Sequence, residues 1–219
     1  MGTEGLAPAG GSRRPEKREA IVRAAALVFG REGYARASVD TIAAEAGVSK
    51  RTVYNHFGDK ETLFLTASVE TAGELTEHIA ALADRHLRKV VDVRVDLADF
   101  AVDRARAVLA LADSYALPRA IRAEAANLPP DVLKAWLEAG PVASVRDLAA
   151  HLERIAGLGL LAVDDPVLAA EHFNLLTFSG AADRSFWGAV PLPDEELVRI
   201  ATAGVDTFLR LYGAGAAGA

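Results

Sequence analysis

The 219-residue chain contains no cysteine and a single methionine, which excludes disulfides, zinc–thiolate sites and cysteine nucleophiles. No apolar run approaches the length of a membrane span, and "MGTEGLAPAGGSRRPEK" lacks the apolar core of a signal peptide. Gly2 is followed at position 6 by Leu6, where a myristoylation motif wants Ser or Thr. The simplest expectation is a cytoplasmic protein with no membrane partner. Aromatics are only 6%, and almost nothing alternates with the period of a strand. What remains is 51% hydrophobic and 25% charged, dominated by alanine and leucine, a balance that suits a globular helical protein.

The net charge of −6 argues against a polyanionic partner until its distribution is considered. Residues 1–65 hold 10 Lys/Arg against 8 Asp/Glu, while the rest holds 14 against 22. The basic excess is therefore N-terminal, and any contact with nucleic acid must be local.

Residues 1–15 are rich in Gly, Pro and Ala and read as a disordered arm; for Arg13 and Arg14 a plain tail is favoured over a minor-groove arm. From Arg18 the pattern turns helical, with Ile21, Ala25, Val28 and Phe29 on one face and Gly33 as a stop. Ser38 is a predicted N-cap for a short helix with Val39, Ile42, Ala43 and Ala46 inward, and Gly47 ends it. Ser49 caps the next, in which Val53 and Phe57 face inward while Lys50, Arg51, Tyr54 and Asn55 point elsewhere. Two short helices joined through a glycine have the form of a helix-turn-helix. Asp59 caps a further helix from Lys60.

Beyond it, helical segments are predicted near 60–86, 94–113, 116–126, 130–156, 165–183 and 194–212. Breaks are expected at Pro118, "LPPD", "GLGLLAVDDP" and "GAVPLPDE". "VVDVRVDL" reads as a loop running into a helix. The last two segments carry apolar stripes: Ala169, Phe173, Leu176 and Gly180, then Leu197, Ile200, Ala201, Gly204, Phe208 and Leu211. Such stripes suit a dimer interface, and intrachain packing would look the same.

The residues from Arg18 to Leu65 carry "IAAEAGVS", "VYNHF" and "DKETL" in order, and resemble the DNA-binding domain of TetR-family transcriptional regulators. The resemblance implies an all-α protein with an N-terminal three-helix helix-turn-helix domain and a larger C-terminal helical ligand-binding and dimerisation domain. The implied division is 1–15 arm, 16–62 DNA-binding domain, 63–213 effector-binding and dimerisation domain, and 214–219 flexible tail. It further implies a homodimer on double-stranded DNA with a palindromic operator, released by a small-molecule effector.

Carried over by position, Arg51, Thr52, Tyr54 and Asn55 approach base edges. Lys50, Tyr54, His56, Lys60 and Thr41 meet phosphates, with Ser38 and Ser49 at the helix starts. The chemistry is consistent: arginine suits guanine O6 and N7, and asparagine suits adenine N6 and N7. Phe173, Leu176, Gly180, Leu197, Ile200, Gly204, Phe208 and Leu211 form the expected dimer interface. Phe100, Tyr115, Trp136, Phe173, Phe178 and Trp187 are candidates for the effector pocket, although such residues usually pack a core. Few buried charges are anticipated, so a hydrophobic or aromatic effector is expected.

No Ser-His-Asp order, phosphate loop or GxGxxG is present, so no catalytic residues and no cofactor are expected. Glu74, His78 and His86 have helical spacing, but without cysteine or HExxH no metal site is expected. The alternative is a helical small-molecule or protein-binding module without operator recognition.

Overall fold

Ser38, Ser49 and Asp59 each have a threonine three residues on. The two serine hydroxyls accept from the Thr41 and Thr52 amides at 3.0 and 3.2 Å, and Asp59 accepts from the Thr62 amide at 2.7 Å. Each satisfies an amide that a helix start leaves without a partner. They open α2 (Val39–Glu45), α3 (Lys50–Phe57) and α4 (Lys60–Leu87). The computed structural model describes residues 13–110 and 116–215.

Before them, α1 spans Arg13–Arg36, its regular part ending at Gly33 (φ 78°), a backbone that side chains with a Cβ rarely adopt. The expected arm therefore gives way at Arg13, Arg14 and Pro15, which are already helical; proline is tolerated there because a first turn does not need its N–H.

The remaining helices are α5 (Val93–Ala110), α6 (Ala116–Glu124), α7 (Pro130–Leu137), α8 (Ala143–Gly157), α9 (Pro166–Asn174), α10 (Gly180–Arg184) and α11 (Asp194–Tyr212). "VVDVRVDL" does run from a loop into a helix. Asp92 accepts from the Arg94 and Val95 amides at 2.9 and 3.0 Å, while Asp96 accepts from the Val91 amide at 2.7 Å. Pro118 is not a break, since it falls in the first turn of α6. A π turn, Glu138–Val142, joins α7 to α8 around Pro141, and another, Leu175–Ser179, joins α9 to α10. Such wide turns often mark functional sites. No extended strand occurs among the described residues; Leu161 and Gly213 form an isolated antiparallel bridge.

Two apolar cores result, and they do not divide at residue 62. The first joins Ile21, Phe29, Ile42, Val53, Phe57 and Phe64 of α1–α4 to Leu117 and Ile121 of α6 and to Val132 and Trp136 of α7. The second is built on Leu82, Leu97, Phe100, Leu152, Phe173 and Phe208. With 28 residues, α4 is about 42 Å long. It places Leu63 and Phe64 in the first core and Leu82 and Leu87 in the second, so one rigid rod serves both.

Candidate functional site

On α3, Val53 and Phe57 are buried in the first core while Arg51, Tyr54 and Asn55 are exposed at i, i+3 and i+4. Helical geometry places those three on one face. Lys50, also exposed, reaches back to α2, with Nζ 2.8 Å from Asp40 Oδ2. That bond holds the Lys50 ammonium above its ordinary pKa. Lys60 Nζ lies 4.6 Å above the Tyr34 ring and 3.4 Å from the Ala35 carbonyl. His56 is half-buried beside Phe57, with ring centroids 6.1 Å apart.

The hydroxyls of Ser38 and Thr41 lie 2.8 Å apart, as do those of Ser49 and Thr52. These four act first as helix starts, a cap-and-threonine pattern that was legible in the sequence as "SVDT" and "SKRT". The surface is a cationic and amide-bearing helix face held by two apolar anchors. Its side chains suit base edges and phosphates.

A cavity of about 360 Å³ lies between the two cores. It is lined by Thr71, Thr76 and Ile79 of α4, Arg104 and Val108 of α5, Pro118 and Arg122 of α6, Trp136 of α7, and residues of both π turns and their flanks, including Gly140, Pro141, Asn174 and Phe178. Glu74 and His78 stand exposed at its edge. Trp187, from the α10–α11 connection, forms another wall. Phe186 and Trp187 both have left-handed backbones (φ 47° and 57°), a conformation that persists only when its surroundings enforce it. The Arg119 guanidinium donates to the Trp187 carbonyl at 3.2 Å, and the Arg122 guanidinium sits 3.8 Å from the centroid of the Trp187 ring.

Of the aromatics named from sequence, Trp136, Phe178 and Trp187 line the cavity. Phe100 and Phe173 do not: they pack against each other in the second core, centroids 6.0 Å apart. Tyr115 lies outside the described residues. Buried charges are few among the described residues, but two cations stand at the cavity: Arg104 is only 8% exposed and Arg122 half-buried. Sequence reasoning passed over both arginines, since an arginine on an amphipathic helix ordinarily belongs to the solvated face.

The apolar stripe of the last helices faces inward. Phe173, Leu197 and Phe208 are buried, and Leu176 is packed against the same core. Gly204 lies so close to the Leu176 carbonyl that a Cβ would meet its oxygen at 2.2 Å. Gly180 faces Ile200, with a Cβ-to-methyl separation of 3.7 Å. Of the set, Leu211, at 60%, and Gly180 are exposed. The outward apolar side chains of α9, its π turn and α11 are instead Val167, Leu168, Leu175 and Leu211.

Residues 21–67 match the family model of bacterial regulatory proteins of the tetR family, and residues 96–214 match that of the AefR-like transcriptional repressor C-terminal domain. The chain belongs to the TetR family. A solved TetR-family regulator from Mesorhizobium loti MAFF303099 superposes with a TM-score of 0.85 at 31% identity, covering 92% of this chain and 99% of that one. The flavonoid-responsive regulator FrrA superposes at 0.66 with 30% identity over 91% of this chain and 98% of its own.

Among curated relatives, the transcriptional repressor AcnR of Corynebacterium glutamicum strain ATCC 13032 is 32% identical over 75 residues, 34% of this chain and 40% of AcnR. This chain spans less than half the length of the curated relatives it matches. No described helix is long and apolar enough to cross a membrane.

Proposed function

We propose that this TetR-family chain is a ligand-responsive DNA-binding transcriptional regulator acting in the cytoplasm. In this reading it is a homodimeric repressor that leaves a palindromic operator when a small molecule fills the cavity. One observation carries it: the cavity and the DNA-facing head share side chains. Trp136 and Ala72 belong to the head's core and also line the cavity.

Helix α6 makes the same connection. Leu117 and Ile121 are buried in the head's core, Pro118 and Arg122 face the cavity, and Glu124 accepts a hydrogen bond from the Tyr34 amide at 3.0 Å. A ligand that displaces Arg122 or Trp136 therefore strains the packing that orients α3. To empty the operator it must favour the released state by several kcal/mol, ~5.5 kcal/mol for a shift from 1:99 to 99:1.

Arg51, Thr52, Tyr54 and Asn55 read bases, while Thr41, Lys50, His56 and Lys60 position the head on phosphates. In a two-fold dimer the two α3 helices lie about one DNA turn apart, ~34–36 Å. The inward stripe leaves Leu168, Leu175 and Leu211 as the dimerising side chains. An aromatic effector is supported by three aromatic walls, and the related FrrA is by name flavonoid-responsive.

The test is fluorescence anisotropy with DNA from upstream of the protein's own gene, at moderate salt. Sequence-specific binding is expected, and its absence would leave the helical binding module without operator recognition as the better reading.

A further inference from the structure

Resting on the reading of the first cavity as the effector site, we propose that the connection Ser185–Val190 is a strained latch, a movable wall that the ligand trips. Three consecutive residues here have left-handed backbones: Phe186 (φ 47°), Trp187 (φ 57°) and Gly188 (φ 80°). Glycine adopts that region freely, whereas bulky aromatic residues are outliers in it. Phe186 buries little in return, because it is 70% exposed. The neighbouring structure must therefore hold the segment in place.

The holding contacts fall into two sets. Within the segment, the buried Ser185 hydroxyl donates to the Ala181 carbonyl at 2.8 Å and accepts from the Gly188 amide at 3.0 Å. The Trp187 amide donates to the Ala182 carbonyl at 2.7 Å. The second set comes from α6, where Arg119 donates to the Trp187 carbonyl at 3.2 Å and the Arg122 guanidinium covers the indole at 3.8 Å. Helix α6 thus grips both the backbone and the ring of a strained residue. The same helix packs Leu117 and Ile121 into the head's core.

Space lies on both sides of this wall. Trp187 lines the cavity of about 360 Å³, while Ser185, Gly188, Ala189 and Val190 line a second of about 380 Å³ toward Leu109 and Leu197. Protein interiors are packed too tightly for most walls to yield; this one has room to move. The second cavity is bordered by the exposed residues Ala189, Val190 and Asp194, so Trp187 displaced toward it meets solvent. A ligand that takes the place of the indole against Arg122 removes the hold of α6. The segment then relaxes out of the left-handed region toward the second cavity, and α6 is released from it. The latch is closed over an empty cavity and open beside a full one.

Trp136→Phe leaves Trp187 as the single tryptophan of the chain, and acrylamide quenching of its fluorescence then reads the latch without any ligand. In that background Ser185→Ala removes the hydroxyl that ties Gly188 to Ala181, and it should raise the Stern–Volmer constant at least twofold. Asparagine tolerates the left-handed region, so Phe186→Asn added to Ser185→Ala should reverse at least half of that rise. The ligand arm uses N-phenyl-1-naphthylamine, a neutral aromatic probe, with DNA release followed in parallel by anisotropy. Saturating probe should raise the constant of the Trp136→Phe protein, whereas a fixed wall would be shielded. Phe186→Asn alone should weaken probe binding threefold or more, because it favours the closed position.

A constant unmoved by Ser185→Ala, or one that falls on probe binding, overturns the latch. If the probe exposes Trp187 while the DNA stays bound, the latch stands and the effector reading falls. If the probe releases DNA while Trp187 becomes shielded, the regulator reading stands and the latch falls. Should the probe not bind, the ligand-free comparison decides alone. Should Trp136→Phe fail to fold, hydrogen exchange of residues 182–190 in the parent chain reads the same opening, faster for Ser185→Ala and slowed again by Phe186→Asn; equal exchange in all three overturns the latch.

Discussion

Gly204→Ala asks whether the stripe on α11 is an intrachain seam or a dimer face. In the structure a Cβ at position 204 would lie 2.2 Å from the Leu176 carbonyl oxygen, 2.6 Å from its carbon and 2.8 Å from Thr177 Cα. All three are backbone atoms of the π turn, so no side-chain rotation relieves the clash, and α11 must retreat by about 1 Å. Helix propensity alone would reward the change by up to ~1 kcal/mol, whereas overpacking a well-filled seam costs about 1–3 kcal/mol or more. The net effect is a loss, and for a chain of this size each kcal/mol moves Tm by roughly 2–4 °C. Gly180→Ala is the control, because its Cβ would meet only Ile200 at 3.7 Å, an ordinary contact. It should be neutral or slightly stabilising. The assay is thermal unfolding by circular dichroism at two protein concentrations tenfold apart, with sedimentation velocity alongside. A lower Tm at both concentrations with an unchanged oligomer is expected for Gly204→Ala. An unchanged Tm, or a loss confined to a weakened dimer, would refute the seam.

Four further outcomes are expected. Glu124→Ala removes a charged acceptor from the half-buried Tyr34 amide; it should cost about 1–3 kcal/mol and reduce effector-driven DNA release, and intact release would dismiss the α6 route. Arg51→Ala should weaken operator binding by ~1–3 kcal/mol and relax preference at one base pair. Lys50→Ala should instead weaken all sequences alike and lower the slope of affinity against salt; measured titrations on cognate and scrambled DNA separate the two. Asp59 accepts from the Thr62 amide and hydroxyl, which holds its carboxyl below the usual range. A depressed folded-state pKa means stability that is present above the unfolded value, about 3.9, and is lost as pH falls through the folded one. Asp59→Asn should therefore lower Tm at pH 7 and converge with the parent as the pH drops toward 3. A gap that stays constant would count against the cap.

Whatever depends on neighbours in the chain was legible before folding. Ser38, Ser49, Asp59 and Asp165 start helices through bonds to amides two or three residues on. Periodicity separated buried Val53 and Phe57 from exposed Arg51, Tyr54 and Asn55 for the same reason, because a 3.6-residue turn assigns faces locally. Tertiary structure alone decided what each face meets. Phe173 and Phe178 are five residues apart and chemically identical, and both are buried in the second core, yet only Phe178 also walls the cavity. The stripe on α11 was visible, but not that Leu176 would approach Gly204 closely enough to claim it within the chain. Arg104 and Arg122 lie on different helices, α5 and α6, and only packing turned both toward the same cavity. The sequence by itself determined the helices and which side chains of α3 are left exposed, since those follow from short-range hydrogen bonds and turn geometry. The cavity, its two cations and its shared wall with the head were decided by contacts between residues far apart in the chain, which no local pattern encodes.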